Sequence, residues 1–325
     1  MKETTDQGRP SQGDAAGSAA AFAVPEQLRT FLVLGRVANL PTVWSNCLAG
    51  WLLCWGDPEW LRFFWVCMGA SCLYLGGMFL NDAFDAKWDA RHRPERPIPS
   101  GRVTASSVWA MGFGFLVLGL LQLGMLGWPA LIYGFLTSSA IIGYNACHKS
   151  TAWSAMLMGL CRMLLYPLAA SQTSGGMSGI AAWGAVVLWC YVTGLTLMAR
   201  HESFEASPVH AAAGGSKPAA ATRGSEAYLL TILLLLPVGL AFLVNNDVFI
   251  WRAVFYGSLF VFWLIYSLAR VAPGGGPLLR HAIPALLAGM VWVDLLAVAP
   301  DPLWALVFAL LFVAARVLQK VAPAT

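Results

Sequence analysis

Charge is scarce in this chain. Of its 325 residues 11% are charged and 58% are hydrophobic, whereas a soluble domain carries about a quarter charged residues. An ordinary soluble fold is thereby excluded. Cysteine pairing is also absent: the seven cysteines (Cys47, Cys54, Cys67, Cys72, Cys147, Cys161 and Cys190) include no C-x-x-C and lie in or beside apolar segments. They read as small buried apolar residues, not as a disulfide or zinc framework. No basic cluster interleaved with aromatics occurs, which excludes nucleic acid as a partner. Strict apolar–polar alternation is missing too, so the chain is not a β-barrel. The first 28 residues have no apolar core that could serve as a secretory signal, and Lys2 stands where myristoylation needs glycine. They are expected to form a disordered cytosolic tail, which leaves membrane insertion to the first true span.

What abounds is uninterrupted apolar sequence. Runs long enough to cross a hydrocarbon core of ~30 Å recur from Phe31 almost to the end. We place spans at about 31–55, 60–80, 105–126, 129–147, 152–172, 179–199, 227–245, 249–269, 279–298 and 302–321. The expectation is an all-α polytopic bundle of nine to ten spans around a central cavity. With the N-terminus inside, the cations Lys87, Arg91, Arg93, Arg96, Arg102, Lys149, Arg200, Lys217, Arg223, Arg270, Arg280, Arg316 and Lys320 all fall on the inner side. Only Arg62 and Arg252 lie near the other face, in agreement with the positive-inside rule. The net charge of +4 therefore reflects sidedness, and the orientation suits a cell inner membrane with cytosolic N-terminus and loops. One long loop, at about 206–225, is low in complexity and expected to be flexible.

The most informative stretch closes the second apolar run: Asn81-Asp82-Ala-Phe-Asp85-Ala-Lys87-Trp88-Asp89, followed by Arg96-Pro97-Ile98-Pro99-Ser100-Gly101. Aspartates at i, i+3 and i+7 share one face of a helix. Stacked carboxylates repel unless cations stand between them. With no histidine or thiolate in the pattern, the donors favour a hard ion such as Mg²⁺, which keeps waters and shares its remaining sites with phosphate oxygens. A second acidic cluster, Arg200-His201-Glu202-Ser-Phe-Glu205, closes the sixth span on the same side. A solvated helix end would account for either cluster alone; the third aspartate, Asn81 and the basic tail argue for a site. Arg162 is different again: it falls mid-span, where an ionised side chain costs at least ~2.5 kcal/mol and faces a cavity or a partner. Arg36, Asn39 and Asn46 fall on roughly one side of the first span, as pocket-lining candidates, with an interhelical hydrogen bond the alternative for Asn46. Asp294 is expected to meet interfacial water at the outer end of the ninth span. Neither His148 nor His201 has metal-ligand spacing.

Together these features resemble the UbiA superfamily of intramembrane prenyltransferases, of the 4-hydroxybenzoate polyprenyltransferase type. The resemblance rests on Asn81-Asp82-x-x-Asp85-x-x-x-Asp89 and Arg96-Pro97-Ile98-Pro99-Ser100-Gly101, with support from Tyr144, Lys149 and Gly159-x-x-Arg162. It implies a helical bundle whose two cytosolic acidic motifs bind Mg²⁺ and the diphosphate of an isoprenyl donor. The acceptor would be aromatic or otherwise lipophilic, within quinone or related prenyl-lipid biosynthesis. On that reading Asp82, Asp85, Asp89 and Glu202 hold the metal. Asn81, Arg96, Lys149 and Arg200 bind diphosphate, and Arg36, Asn39 and Asn46 line the acceptor pocket. Asp82, Asp85 and Arg162 carry the catalysis. The second motif departs from the family's aspartate repeat, with Glu202 at its first position and Ala206 where a later aspartate would fall. The competing readings are a membrane transporter, which predicts midplane charges and repeat symmetry, and a terpene-cyclase-like or non-catalytic relative of the family.

Overall fold

A computed structural model gives the arrangement of residues 25–54, 59–149, 151, 153–205, 231–239, 241–242, 250–269, 279–299 and 302–322. The long loop at 206–225 and residues 1–24 of the tail lie outside the described residues, as do the side chains of 201–205 and 279–281. Among the described residues every regular element is helical. In chain order these are α1 (Glu26–Leu34), a 3₁₀ turn (Val37–Asn39), α2 (Leu40–Leu52), α3 (Trp60–His92), α4 (Ala105–Met125), α5 (Trp128–Cys147), α6 (Ser154–Met163), α7 (Leu165–Ala170) and α8 (Gly179–Glu205). They continue with α9 (231–239), α10 (Ile250–Leu268), α11 (Leu279–Ala288), α12 (Met290–Val298) and α13 (Pro302–Val321). Helix α1 takes in the last three residues of the stretch expected as tail. Six of the helices are long and apolar enough to cross a membrane.

Three of the spans read from the sequence as continuous are broken, and each break has a proline and a reason. The first span divides at residues 35–39, where Arg36 adopts a left-handed backbone (φ 42°). Pro41, in the first turn of α2, cannot donate to the carbonyl four residues back, so an uninterrupted α-helix through residues 37–41 is disfavoured and the chain takes a 3₁₀ turn there instead. The fifth divides at Leu164, because Pro167 has no N–H to offer Met163. The ninth carries Pro284 inside α11 and divides at Gly289. There the Tyr191 hydroxyl donates to Leu286 O at 2.8 Å, taking the carbonyl that would otherwise receive the Met290 N–H. A side chain inserted into the helical ladder is a recognised cause of such breaks.

The second span has the opposite character. Instead of ending near residue 80, α3 continues as helix to His92 and carries the whole acidic motif with it. It packs on α4 through a stripe of small residues, Gly69 and Gly76 meeting Gly112 and Gly119. A Cβ on Gly76 would stand 2.8 Å from Gly112 O, and one on Gly119 3.1 Å from Gly69 O. Close backbone approach through small residues is the usual glue of membrane helices, where lipid supplies no hydrophobic drive between them. On the far side of the bundle α2 and α7 to α13 meet around Tyr166, Leu188, Tyr191, Phe260 and Leu286, all fully buried.

The helix contact yields a test. Gly76→Ala should cost about 1–3 kcal/mol through overpacking against the α4 backbone. Gly114→Ala, where a Cβ meets nothing within 4 Å, should leave stability unchanged or slightly raised. Thermal unfolding in detergent of the two variants checks the difference.

Candidate active site

Where α3 leaves the bundle its three aspartates are each matched to cations from other elements. Asp82 is buried, and Arg96 Nη1 donates to its Oδ1 at 3.0 Å while Arg36 Nη2 stands 3.6 Å from the same oxygen. Arg96 also faces Asp89, 3.9 Å away. Asp85 Oδ1 lies 2.6 Å from Lys149 Nζ and 3.2 Å from His148 Nε2. The repulsion expected of three stacked carboxylates is thus answered by side chains arriving from the first span, from the Arg93–Thr104 loop and from the end of α5.

Local structure explains these arrivals. The loop carrying Arg96 is tied to itself: Ser100 N donates to Arg96 O at 3.0 Å, and Arg102 donates both to Ser100 Oγ at 3.0 Å and to Glu95 O. Thr104 then caps α4 by accepting from Ser107 N. Arg36 sits in the break of the first span, where its carbonyl accepts from the Tyr74 hydroxyl at 3.1 Å. Lys149 lies over the Trp88 ring, 4.5 Å from its centroid, a favourable site for an ammonium, and His148 stacks on Tyr144 at 5.2 Å.

A chain of amides runs behind the carboxylates. Arg36 Nη2 donates to Asn81 Oδ1 at 3.0 Å, Asn81 Nδ2 to Asn145 Oδ1 at 3.1 Å, and Asn145 Nδ2 to Gly77 O at 3.1 Å. A guanidinium can only donate and a carbonyl can only accept, so both amides are held in a single orientation. Asn145 and His148 have no role in the sequence reading, although Tyr144 and Lys149 flank them.

Two cavities meet at this rim. One, of about 200 Å³, lies inside the bundle and is largely apolar, with Arg36, Asn39, Tyr144, Asn145 and Arg162 among its polar walls. The other, of about 580 Å³, opens between α1 and the Arg96 loop and is lined by Arg29, Arg36, Arg96, Arg102 and Asp82. Arg36 borders both. Asn46 does not line the inner cavity; it bonds to Arg162 below it, Arg162 Nη1 donating to Asn46 Oδ1 at 3.2 Å. Arg200 donates to Thr151 O at 2.5 Å and Ser154 Oγ at 2.6 Å. Helix α8 reaches Glu205, but the Glu202 side chain is outside the described residues.

Asp294 corrects the expectation of interfacial water. It is fully buried and accepts from Tyr166 Oη at 2.7 Å, Asn46 Nδ2 at 2.7 Å and Ser45 Oγ. The short helix α12 turns it inward, into the packed layer between α2 and α7.

The donor set suits a hard cation. Asp82, Asp85 and Asp89 offer only oxygen, and Arg36 and Arg96 engage the same oxygen of Asp82. Among the described residues no three His, Cys, Asp or Glu side chains stand together in metal-binding geometry. Mg²⁺ does not require that, because it is typically held by one or two carboxylates with phosphate oxygens and water completing the shell.

The sequence model of the UbiA prenyltransferase family matches residues 40–276, most of the chain. This chain belongs to the UbiA prenyltransferase family. Similar proteins include the digeranylgeranylglyceryl phosphate synthase of Ignicoccus hospitalis, 29% identical over 220 residues, which cover 66% of this chain and 71% of the relative. Its counterpart in Saccharolobus solfataricus is 25% identical over 135 residues, 40% of this chain and 47% of the relative. For several of these relatives the alignment thus spans less than half of their length. Among solved structures, a UbiA homologue from Archaeoglobus fulgidus bound to GPP and Mg²⁺ shares the fold with a TM-score of 0.60, at 13% identity, over 90% of this chain and 99% of that one. The UbiA homologue from Aeropyrum pernix K1 does so with a TM-score of 0.59, at 14% identity, over 80% and 96%. The fold expected from the sequence, a helical membrane bundle, is that of these UbiA proteins.

The amide chain generates a test. Asn145→Ala strands the buried Asn81 amide and should cost about 1–3 kcal/mol. Asn145→Asp keeps an acceptor for Asn81 but loses the donor to Gly77 O, and should recover part of that loss. Chemical or thermal unfolding of the two variants in detergent measures both.

Proposed function

We propose that this UbiA-family chain transfers a prenyl group from an isoprenyl diphosphate to a lipophilic acceptor within the membrane, with Mg²⁺ as cofactor. The observation that carries this reading is the acidic motif, ringed by Arg36, Arg96 and Lys149, at the mouth of an apolar cavity. The Archaeoglobus fulgidus UbiA homologue bound to GPP and Mg²⁺ and the similar digeranylgeranylglyceryl phosphate synthases support it. A transporter would gather most of its charges at mid-depth, whereas here three carboxylates and their partners gather at one end of the bundle and Arg162 and Asp294 are the interior pair.

Bound Mg²⁺ would supply Lewis-acid stabilisation to the departing diphosphate, and Asp82, Asp85 and Asp89 would hold it, with Glu202 as the second motif's contribution. The chain's own cations do the rest. Arg36 and Arg96 present forks suited to phosphate oxygens and Lys149 a point charge. Each is paired with an aspartate in this structure, so each stands where a diphosphate held at those carboxylates would compete for it. Loss of one such donor typically raises the barrier by about 3 kcal/mol. As the C1–oxygen bond of the donor breaks, an allylic cation forms below the rim. The apolar walls around Val43, Leu73, Ile141 and Leu165 keep water from capturing it before the acceptor attacks. Asn81 and Asn145 hold Arg36 in register, and Tyr74 anchors the carbonyl of the break from which it reaches.

The reading is tested with labelled isoprenyl diphosphates, scoring diphosphate release and lipid products with Mg²⁺ or EDTA. Asp82→Ala and Asp85→Ala should each lower Mg²⁺-dependent turnover by at least about a hundredfold while the protein still inserts. Glu202→Gln should be crippling and Glu205→Gln tolerated. Full activity in the Asp82 or Asp85 variant removes the metal assignment, and equal, mild effects at both glutamates remove the second motif from it.

A further inference from the structure

On the wall of the inner cavity Arg162 holds donor capacity that the described residues do not use. The residue is 8% exposed and lines the cavity. Among the described residues its hydrogen-bond acceptor is Asn46 Oδ1 at 3.2 Å, and its guanidinium lies 5.2 Å from the centroid of the Tyr74 ring. A guanidinium carries five N–H donors, and burying them without acceptors is costly. A cationic fork with unused donors, nine-tenths buried and bordering a cavity, is built to receive an anion.

The group is also deliberately aimed. Asp294 Oδ2 accepts from Asn46 Nδ2 at 2.7 Å, and a guanidinium can only donate. That fixes the amide so that Asn46 Oδ1 must face Arg162. Tyr166 and Ser45 complete the shell of Asp294, and the carboxylate stands one side chain behind the guanidinium. It orients the fork without occupying it. The three elements that supply this relay, α2, α6–α7 and α12, belong to the three broken spans.

Depth decides which reactant the fork addresses. Arg162 lies against Tyr74, which is eight residues along α3 from Asp82, a rise of about 12 Å. A diphosphate held through Mg²⁺–oxygen bonds of about 2.1 Å at Asp82 belongs to the rim. We propose that Arg162, positioned by Asn46 and Asp294, receives an oxyanion of the acceptor, a carboxylate or a phosphate, and so selects acceptors that carry one. This rests on the prenyl-transfer reading for the word acceptor. Arg162 is the binding residue and Asp294 a positioning residue. Such an acceptor would enter with its anion downward and its nucleophile toward the rim, where C1 of the donor is released.

The test is a binding measurement on the full-length protein in lipid nanodiscs, with two matched pairs of probes. They are 4-hydroxybenzoate with 4-hydroxybenzamide, and a prenylglyceryl phosphate with the corresponding prenylglycerol. In wild type the anionic member of one pair should bind at least roughly tenfold more tightly than its neutral twin, and the pair that responds identifies carboxylate or phosphate. Arg162→Leu should abolish the preference, and Arg162→Lys should keep only part of it, because the fork is gone. Asp294→Asn should reduce the preference while affinity for the neutral twin stays as in wild type. Equal affinities within both pairs for wild type, or a preference that survives Arg162→Leu, overturn the proposal. If Arg162→Leu fails to insert, the lysine variant decides: an undiminished preference there overturns it equally. A loss in Asp294→Asn that strikes both twins alike overturns the positioning role. Binding needs no turnover, so a wild type that releases no diphosphate from any prenyl donor would sink the transfer reading and leave this result standing on its own.

Discussion

A carboxylate enclosed by packed helices has no water to turn to, and its charge must be met by groups that the protein itself brings. The architecture here follows from meeting that demand twice. At the rim Asp82, Asp85 and Asp89 are met by full cations, Arg36, Arg96 and Lys149, which a substrate anion can compete for. In the interior Asp294 is met by neutral donors, Ser45, Asn46 and Tyr166, with Arg162 a further side chain away. The first arrangement is exchangeable and suits turnover. The second is closed and suits alignment. Fully satisfied polar networks in a low-dielectric interior rigidify what they touch, and this one touches the three spans whose helices are interrupted.

Those interruptions let one span serve both levels. The break at Arg36 turns its side chain to the rim, while Ser45 and Asn46, a few turns on in α2, reach the interior carboxylate. In the fifth span Arg162 precedes the break and Tyr166 follows it. Irregular backbone at such depth is tolerated in membrane proteins where it is buried in protein or lines a cavity, and each of these breaks meets that condition. Arg36 also borders both the apolar cavity and the arginine-lined one, so the route from polar rim to apolar interior passes this side chain.

How much of this the sequence discloses depends on which signal is used. Long apolar runs announce the bundle because their cause, the thickness of the hydrocarbon, is uniform. The acidic motif is legible for the same reason: one helix face, one spacing. The breaks were not read, although Pro41, Pro167 and Pro284 are plain in the sequence, because a hydropathy window averages across them. Asp294 was misplaced because distance along a run is a poor measure of depth once the run is split into α11 and α12. Asn145 gave little signal, since a single amide in an apolar helix looks like any interhelical contact, and the partner that gives it meaning is 64 residues away. Arg200 shows the limit of charge bias: a cation on the inner side satisfies the topology rule whatever it faces, so its bonds to Thr151 O and Ser154 Oγ carry no sequence signal.

Helix α3 spans 33 residues, about 50 Å at 1.5 Å per residue, against a hydrocarbon core of ~30 Å. Clamped to α4 through Gly69, Gly76, Gly112 and Gly119, it has little freedom to absorb a change in bilayer thickness by kinking. A hydrophobic mismatch would be taken up by tilt of the α3–α4 pair as a unit, and the aspartates ride at the end of that pair. The height of the acidic motif above the acyl chains is therefore coupled to lipid chain length, and the bilayer itself becomes a determinant of where the rim stands.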